Sequence, residues 1–386
     1  MIRRLLHKKC VEFSRQYPVV TITGPRQSGK TTLAKACFPK KPYVNLEEPD
    51  KRKLAIEDPR GFLENLSRGA ILDEIQRAPQ LSSYIQSIVD SSSQKGMFIF
   101  TGSQQFEITQ SISQSLAGRT ALIKLLPFNL KELGSKKQYK SLDDLLIKGF
   151  YPRVYKENLM PHNFYMNYFE TYVQRDLRQL SQIENLHVFE KFVRILAART
   201  GQLLNYNSLA NDVGVSQPTI RKWISLLEAS YIVFLLPPFF RNIGKRLIKT
   251  PKIYFYDVGL AAYLLEIENA KQLKSHPLRG NLFENLIITE FLKARFNQAK
   301  ASNLYFYRDR TGNEIDLILQ NPLSLTAVEI KSSATLNLDF CRTLNLFKKI
   351  FGREVKKSFV VYCGKGTASH NQTTFLPWQE LTVIKI

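Results

Sequence analysis

Residues 24–32 combine the residue types that bind a chain of phosphates. They are Gly24, Pro25, Arg26, Gln27, Ser28, Gly29, Lys30, Thr31 and Thr32, which fit the pattern G-x-x-x-x-G-K-[ST] at every fixed position. Glycines let the backbone turn tightly, so that its N–H groups and the next helix start point at phosphate oxygens. Lys30 would reach the β- and γ-phosphates, and the Thr31 hydroxyl would hold Mg²⁺. The stretch predicts a nucleotide-binding loop.

A pair of carboxylates follows a second short apolar run. Residues 70–72 are apolar and lead directly into Asp73 and Glu74. Downstream of a phosphate loop, such a pair is typical of a metal-site strand. Asp73 would bind Mg²⁺ through water, and Glu74 would orient and deprotonate the attacking water. The structural alternative is a surface Asp-Glu pair at a strand end.

Two further polar residues are candidates for the same chemistry. Ser103 ends the strand-like run 97–103, where a polar group senses the γ-phosphate or polarises water. Arg119 precedes another strand-like run and would stabilise phosphate charge, in its own subunit or a neighbour's. An ordinary surface arginine is the alternative for Arg119. At least one strand lies between the loop strand and the Asp73 strand, and a glutamate follows Asp73. Together these features favour a mainly parallel sheet covered by helices, in which a glutamate activates the attacking water.

The middle of the chain is mostly helical and contains a predicted helix-turn-helix at 206–223. Gly214 supplies the turn, and Ser216 caps a second helix that has Pro218 in its first turn. Arg221 and Lys222 would face a nucleic-acid groove together with Gln217 and Thr219. The strand-like run 231–236 that follows favours a winged variant. Docking of a protein is the alternative use of such a module.

The last third of the chain contains a second group of candidate metal ligands. Residues 304–308, 314–320 and 325–332 read as three strands of an antiparallel meander. In that arrangement Asp316 and Glu329 lie side by side on adjacent strands, and Lys331 shares a face with Glu329. Glu284, on a nearby predicted helix, would add a third carboxylate. The set suits a metal-dependent site that hydrolyses phosphodiesters, and an exposed strand face of mixed charge is the alternative.

Composition limits the class of protein. The 386 residues suffice for two or three domains, and 44% hydrophobic with 23% charged residues is ordinary for a globular protein. The net charge of +22 is spread along the chain and favours a polyanionic partner such as nucleic acid. The four cysteines form no Cys-x-x-Cys pair, so neither a zinc site nor a disulfide framework is indicated and a cytoplasmic location is expected. No apolar run is long enough to span a membrane.

The motifs together resemble a known family. The chain is similar to bacterial and archaeal AAA-type ATPases in which a P-loop domain precedes a winged helix and a domain of unknown function related to PD-(D/E)xK nucleases. The resemblance covers nearly the whole length and rests on the order of these segments: 24–32, 71–76, 98–103, 116–119, 254–260, 280–284, 314–316 and 328–331. It implies ATP binding and hydrolysis with Mg²⁺. A nuclease would ideally have proline before the aspartate, whereas Ile315 precedes Asp316 here.

The predicted architecture has three parts. An α/β P-loop domain, with a parallel sheet flanked by helices, occupies 1–135. A helical region with a winged helix-turn-helix at about 200–240 occupies 136–272, and an α+β restriction-endonuclease-like domain occupies 273–386. The first hypothesis is an ATPase whose nucleotide cycle acts on a nucleic-acid-associated half of the chain. DNA is favoured over RNA as the nucleic acid. A homo-oligomer is the further expectation if subunits complete each other's sites. The alternatives are an ATP-gated, metal-dependent DNA nuclease and a non-catalytic DNA- or protein-binding module.

Overall fold

The computed structural model describes residues 2–103, 115–134, 139–174, 185–240 and 250–385, with the backbone alone at 173 and 174. The sequence stretch 108–116, whose pattern predicts a helix, therefore lies almost entirely outside the described residues. Within them, no helix combines the length and apolarity needed to cross a bilayer.

The N-terminal segment is built on a five-stranded parallel sheet. Its strands are β1 (Val19–Thr23), β2 (Tyr43–Asn45), β3 (Ile71–Asp73), β4 (Phe98–Gly102) and β5 (Thr120–Lys124). Its helices are α1 (His7–Ser14), α2 (Lys30–Cys37), α3 (Pro49–Glu57), α4 (Pro59–Glu64) and α5 (Leu81–Asp90). The spatial order is β2-β3-β4-β1-β5, and every neighbouring pair is parallel. The central strands β1 and β4 are buried at every residue, as expected where helices cover both faces of a sheet.

Among its described residues, the middle segment is helical apart from one pair of strands. Its helices are α6 (Leu130–Leu133), α7 (Leu142–Lys148), α8 (Pro152–Lys156), α9 (Pro161–Tyr168) with a π-helical continuation (Phe169–Gln174), α10 (Leu186–Ala198), α11 (Tyr206–Val213), α12 (Gln217–Ala229), α13 (Val258–Leu264) and α14 (Ala270–Ser275). Strands β6 (Val233–Leu236) and β7 (Lys252–Phe255) pair in antiparallel fashion. The aromatic side chains of α9 belong to the core, since Phe164, Tyr165 and Tyr168 are buried.

The C-terminal segment contains a long helix and a six-stranded sheet. Its elements are α15 (Arg279–Asn297), β8 (Leu304–Arg308), β9 (Glu314–Asn321), β10 (Ser324–Lys331), α16 (Arg342–Phe351), β11 (Val355–Tyr362), β12 (Ala368–His370) and β13 (Thr373–Pro377). The predicted meander is confirmed for β8, β9 and β10, which are antiparallel. The sheet as a whole is mixed, because β11 runs parallel to both β10 and β13. One apolar cluster extends from Leu126 to Ile384, so the middle and C-terminal segments share a core.

Candidate active site

The phosphate loop connects the end of β1 to the start of α2. Gly24 has φ +150°, and a Cβ atom there would lie 2.1 Å from the carbonyl oxygen of Leu125. Gly29 has φ +92° in the left-handed region and forms the N-cap of α2. The backbone conformation therefore requires glycine at both fixed positions. At Gly24 the end of β5 also approaches too closely for a side chain.

Lys30 is held inside this loop. Its Nζ atom donates to the carbonyl oxygens of Gly24 at 3.1 Å and Pro25 at 2.9 Å, and the residue is 5% exposed. Burial lowers the pKa of Lys30, and the negative charges of Glu74 and Asp73 oppose that shift. A buried ammonium whose direct partners are neutral carbonyl groups has the charge and position to bind an anionic phosphate.

Thr31 and Asp73, predicted as the Mg²⁺ ligands, are brought together. The Thr31 hydroxyl donates to Asp73 Oδ2 at 2.8 Å, across the edge where β3 ends and α2 begins. Tyr43 donates to the same oxygen at 2.7 Å, and the Thr101 hydroxyl donates to Oδ1. Hydroxyl and carboxylate oxygens are the hard ligands that Mg²⁺ prefers, so these residues fit the ion. The sequence analysis did not predict Tyr43 and Thr101 as partners of Asp73, although both lie on strands that flank β3.

Glu74 follows β3 in a left-handed conformation with φ +54°. Its Oε2 atom accepts hydrogen bonds from the Ser103 N–H at 3.2 Å, the Ser103 hydroxyl at 3.1 Å and Gln76 Nε2 at 2.5 Å. Burial alone would raise the pKa of Glu74, but the Lys30 charge and the hydrogen bonds from Gln76 and Ser103 bring it below its ordinary value. The carboxylate is therefore held in one orientation, and its ionised form is favoured. Ser103 therefore contacts Glu74 directly, by donating two hydrogen bonds to its carboxylate.

A cavity of about 420 Å³ opens over the loop. Its lining combines residues in and around the loop with a wall from the middle segment: Arg26, Gln27, Gly29, Lys30, Thr31, Thr32, Glu47, Glu74, Pro152, Arg153, Lys156 and Glu157. Arg153 and Lys156, both exposed on α8, were missed by sequence reasoning. Their signal in the sequence is weak, because nothing local relates the stretch Pro152 to Lys156 to a loop more than 120 residues earlier.

Arg119 is not brought to this cavity. It directly precedes Thr120, which pairs with Val19 at the start of β1, whereas the phosphate loop follows Thr23 at the other end. Four residues of parallel strand separate the two edges by about 13 Å. Arg119 instead binds Asp90 through its Nε atom at 2.5 Å. The predicted role for Arg119 within its own subunit is therefore corrected by the register of the sheet.

Arg4 supports the phosphate loop through a hydrogen bond to its backbone. Its guanidinium donates to the carbonyl oxygens of Ser28 at 2.8 Å and Leu126 at 2.5 Å. Glu132 accepts from Arg4 Nε at 3.1 Å and completes the ion pair. Sequence spacing offers no sign of these contacts, because the three partners lie 24 to 128 residues from Arg4.

The stretch predicted as a helix-turn-helix contains two consecutive helices, α11 and α12. Gly214, which has φ +86°, is the C-cap of α11, and Ser216 caps α12 by accepting from the Thr219 N–H at 3.3 Å. Ile220 and Trp223 are buried. Arg221 is exposed, and its guanidinium lies 4.1 Å from the centre of the Tyr206 ring.

Asp316 and Glu329 lie on neighbouring strands, as predicted. The antiparallel register pairs Val328 with Leu317, so its next step sets Glu329 opposite Asp316. Both residues are buried, and the Ile330 N–H donates to Asp316 Oδ2 at 2.7 Å. Lys331 Nζ lies 2.5 Å from Glu329 Oε1. Burial and the neighbouring Asp316 raise the pKa of Glu329 to about 8, against the opposing charge of Lys331.

Glu284 does not complete a metal site with them. Its Oε1 atom accepts from Lys252 Nζ at 3.1 Å and from the Tyr254 hydroxyl at 2.5 Å, both on β7. In the part of the chain that the structure describes, no group of three or more His, Cys, Asp or Glu residues is arranged to hold a metal ion. The prediction of a site with Glu284, Asp316 and Glu329 as joint ligands is therefore corrected. Burial and Asp316 raise the pKa of Glu284 to about 7.

Three family models match the chain. Residues 16–134 match an AAA domain, 139–271 match a domain of unknown function (DUF8612) and 279–381 match a domain of unknown function (DUF4143). The first match covers the phosphate loop, Asp73 and Glu74, and supports an AAA-type P-loop ATPase. The other two name neither a nuclease nor a nucleic-acid-binding domain.

Curated relatives span most of the chain. The uncharacterized proteins Rv2008c of Mycobacterium tuberculosis and Mb2031c of Mycobacterium bovis are each 31% identical over 339 residues, which cover 86% of this chain and 73% of the relative. The uncharacterized protein MJ1544 of Methanocaldococcus jannaschii is 23% identical over 334 residues, covering 78% of this chain and 72% of the relative.

Solved structures show more distant similarity. The Walker-type ATPase PABY2304 of Pyrococcus abyssi has 14% identity and a TM-score of 0.46, with 68% of this chain and 96% of that chain covered. AMPPCP-bound DnaA from Aquifex aeolicus has 14% identity and a TM-score of 0.31, with 58% of this chain and 86% of that chain covered.

Proposed function

This chain belongs to the same family as the uncharacterized mycobacterial proteins Rv2008c and Mb2031c, and we propose that it is an ATPase that hydrolyses ATP with Mg²⁺ at the phosphate loop. The contact that supports the proposal best is between Thr31 and Asp73, whose oxygens lie 2.8 Å apart beside the buried Lys30. The match of residues 16–134 to an AAA domain agrees with it.

Each residue at the loop has a separate task in this proposal. The backbone N–H groups of the loop and Lys30 bind the phosphates, and Thr31 and Asp73 hold Mg²⁺. When bound, Mg²⁺ neutralises negative charge that develops on the phosphate oxygens. Glu74 accepts a proton from the attacking water, and Ser103 and Gln76 keep its carboxylate in place.

In this proposal, helix α8 supplies the positive charge that stabilises the phosphates. Arg119 cannot supply that charge within its own subunit. Arg153 and Lys156 lie on the wall of the cavity that faces Lys30 and Glu74. Arg153 pairs with Glu157 at 2.8 Å and is more than half exposed, so its guanidinium can turn toward a triphosphate at low cost. Binding of ATP would then draw the middle segment toward the loop.

The middle segment supplies the second part of the proposal, an ATP cycle that acts on nucleic acid. We infer that α11, α12 and the strand pair β6–β7 form a winged helix-turn-helix that binds DNA. Its support is the geometry of the Gly214 turn and the exposed Arg221 on α12. The overall charge of +22 favours the same kind of partner.

The deciding experiment is an ATP hydrolysis assay with Mg²⁺, in the presence and absence of duplex DNA. Glu74→Gln should keep its ATP affinity and turn over at least about a hundredfold more slowly, because the water loses its base. Lys30→Ala should lose ATP binding. Glu57→Gln, at an exposed carboxylate of the same segment, is the matched control and should behave as wild type. Unchanged turnover in Glu74→Gln removes that residue from the mechanism, and hydrolysis indifferent to DNA contradicts the second part of the proposal.

A further inference from the structure

A cluster of buried and half-buried charges joins the middle segment to the C-terminal segment. It is not part of the ATP site. Four carboxylates and two lysines form it: Glu284, Glu314, Asp316, Glu329, Lys252 and Lys331. The carboxylates come from α15, β9 and β10, whereas Lys252 is the first residue of β7. The cluster therefore contains one cation that the C-terminal segment does not itself provide.

Lys252 lies among the carboxylates. Its Nζ atom is 3.1 Å from Glu284 Oε1 and 2.5 Å from Glu314 Oε1, and the residue is 3% exposed. Burial alone would lower the pKa of Lys252, but the carboxylates of Glu284, Asp316 and Glu314 raise it above its ordinary value. The side chain is therefore a permanent cation, fixed by the strand pairing of β7 with β6.

Three carboxylate oxygens of the candidate metal ligands already have other partners. Glu284 Oε1 binds both Lys252 and Tyr254, Asp316 Oδ2 accepts from the Ile330 backbone, and Glu329 Oε1 binds Lys331. One buried carboxylate oxygen in the cluster, Glu329 Oε2, has no hydrogen-bond partner. A divalent ion held by protein carboxylates would have to displace Lys252 from Glu284 or be bound by Asp316 and Glu329 without it.

We propose that the Lys252 ammonium takes the place of a divalent metal ion in this cluster. The C-terminal segment is then an ion-paired junction with the middle segment, and not a metal-dependent nuclease. A buried carboxylate that is ionised needs a cation near it. A lysine from a packed strand meets that need at every metal concentration, and it ties β7, and through it β6 and the helix-turn-helix, to the C-terminal sheet.

Direct titration with Mn²⁺, followed by electron paramagnetic resonance without nucleotide, tests the proposal. Wild type should show no saturable Mn²⁺ site that depends on Asp316. Lys252→Met keeps the length of the side chain and removes its charge, so it should gain one Mn²⁺ site, at least about tenfold tighter than any in wild type. Adding Asp316→Asn to that variant should abolish the gained site, which separates it from any Mn²⁺ bound near Asp73.

Two results overturn the proposal. One is an Asp316-dependent Mn²⁺ site in wild type that is as tight as the site in Lys252→Met. The other is a folded Lys252→Met that gains no site. Because Lys252→Met leaves buried carboxylates without their cation, it is compared with Lys252→Met/Glu284→Gln, which removes the partner charge as well. Lys252→Met/Glu284→Gln should regain thermal stability that Lys252→Met has lost. If the double variant is instead less stable than Lys252→Met, the pairing of Lys252 with Glu284 is contradicted.

Nuclease activity gives an independent test. Wild type incubated with supercoiled plasmid and Mn²⁺ should produce no nicks. Nicking that disappears in Asp316→Ala would show a working metal site and overturn the proposal. None of these measurements requires ATP, so they succeed or fail separately from the proposed ATPase activity.

Discussion

The hydroxyl group of Tyr231 lies 2.8 Å from the hydroxyl group of Thr23, and both residues are buried. Thr23 is the last residue of β1, directly before Gly24 of the phosphate loop. Tyr231 lies in the turn between α12 and β6 and has φ +57°, which is unusual for a tyrosine. A hydrogen bond therefore joins the start of the phosphate loop to the turn that follows α12.

Removing this hydrogen bond should weaken both stability and nucleotide binding. Tyr231→Phe leaves the ring packed and the Thr23 hydroxyl with a weaker contact, the Ile123 carbonyl at 3.4 Å. We expect unfolding in urea to show a loss of about 1 to 2 kcal/mol. Because the bond fixes the residue before the loop, KM for ATP should rise as well.

A double-mutant cycle with Thr23→Val separates the hydrogen bond from other effects. If the two hydroxyl groups act through each other, the double variant should lose clearly less stability than the sum of the two single variants, with a coupling of about 1 kcal/mol. Strictly additive losses would show that the contact contributes nothing of its own.

Arg153 and Lys156 should matter to ATP binding, and Arg119 should not. Arg153→Ala and Lys156→Ala each remove a positive charge from the cavity wall, so KM for ATP should rise about tenfold. Arg119→Ala removes a charge from the opposite edge of the sheet, and steady-state kinetics should change less than about twofold. A large loss of kcat in Arg119→Ala that grows with protein concentration would indicate that the residue acts on a neighbouring subunit.

The free energy of unfolding should decrease as the pH rises, because of Glu228 on α12. Burial raises the pKa of Glu228 to about 7, against a hydrogen bond from the Leu235 backbone. A carboxyl with a raised pKa favours the folded state when protonated, so its contribution is complete below about pH 4.5 and is lost as the pH rises through 7. Glu228→Gln stays neutral at every pH.

Chemical denaturation at two pH values measures this effect. At pH 8 Glu228→Gln should be more stable than wild type by about 1 to 2 kcal/mol, after allowance for partial solvent exposure. Below pH 4.5 the difference should nearly vanish. A constant difference between the two variants at both pH values would contradict the raised pKa.

The ATP site was predictable because its signals are local. The glycine spacing of the loop, the acidic pair after β3 and the alternation of strands and helices each depend on a few consecutive residues. The register that sets Glu329 opposite Asp316 was also predictable, since a short turn and a buried face fix the pairing of two neighbouring strands.

The errors concern contacts that only the packed fold creates. Arg119 precedes a strand, and the sequence does not say which edge of the sheet that position occupies until the strands are paired. Lys252 lies 32 residues from Glu284 and 62 from Glu314, so no spacing rule relates them. A lysine at the head of the apolar run 253–256 was the one available signal of a buried partner.

Binding to duplex DNA should depend on Arg221 and on salt. Arg221 is exposed on α12 at the position that enters a groove in a helix-turn-helix, and its stacking on Tyr206 keeps the guanidinium in place. In fluorescence anisotropy, Arg221→Ala should weaken DNA binding about tenfold and reduce the slope of log K against log salt by about one. Arg68→Ala, at an exposed arginine of the N-terminal segment, is the matched control and should leave both unchanged. Equal losses in the two variants would mean that DNA binds through overall charge, and the helix-turn-helix would then be assigned to a protein partner.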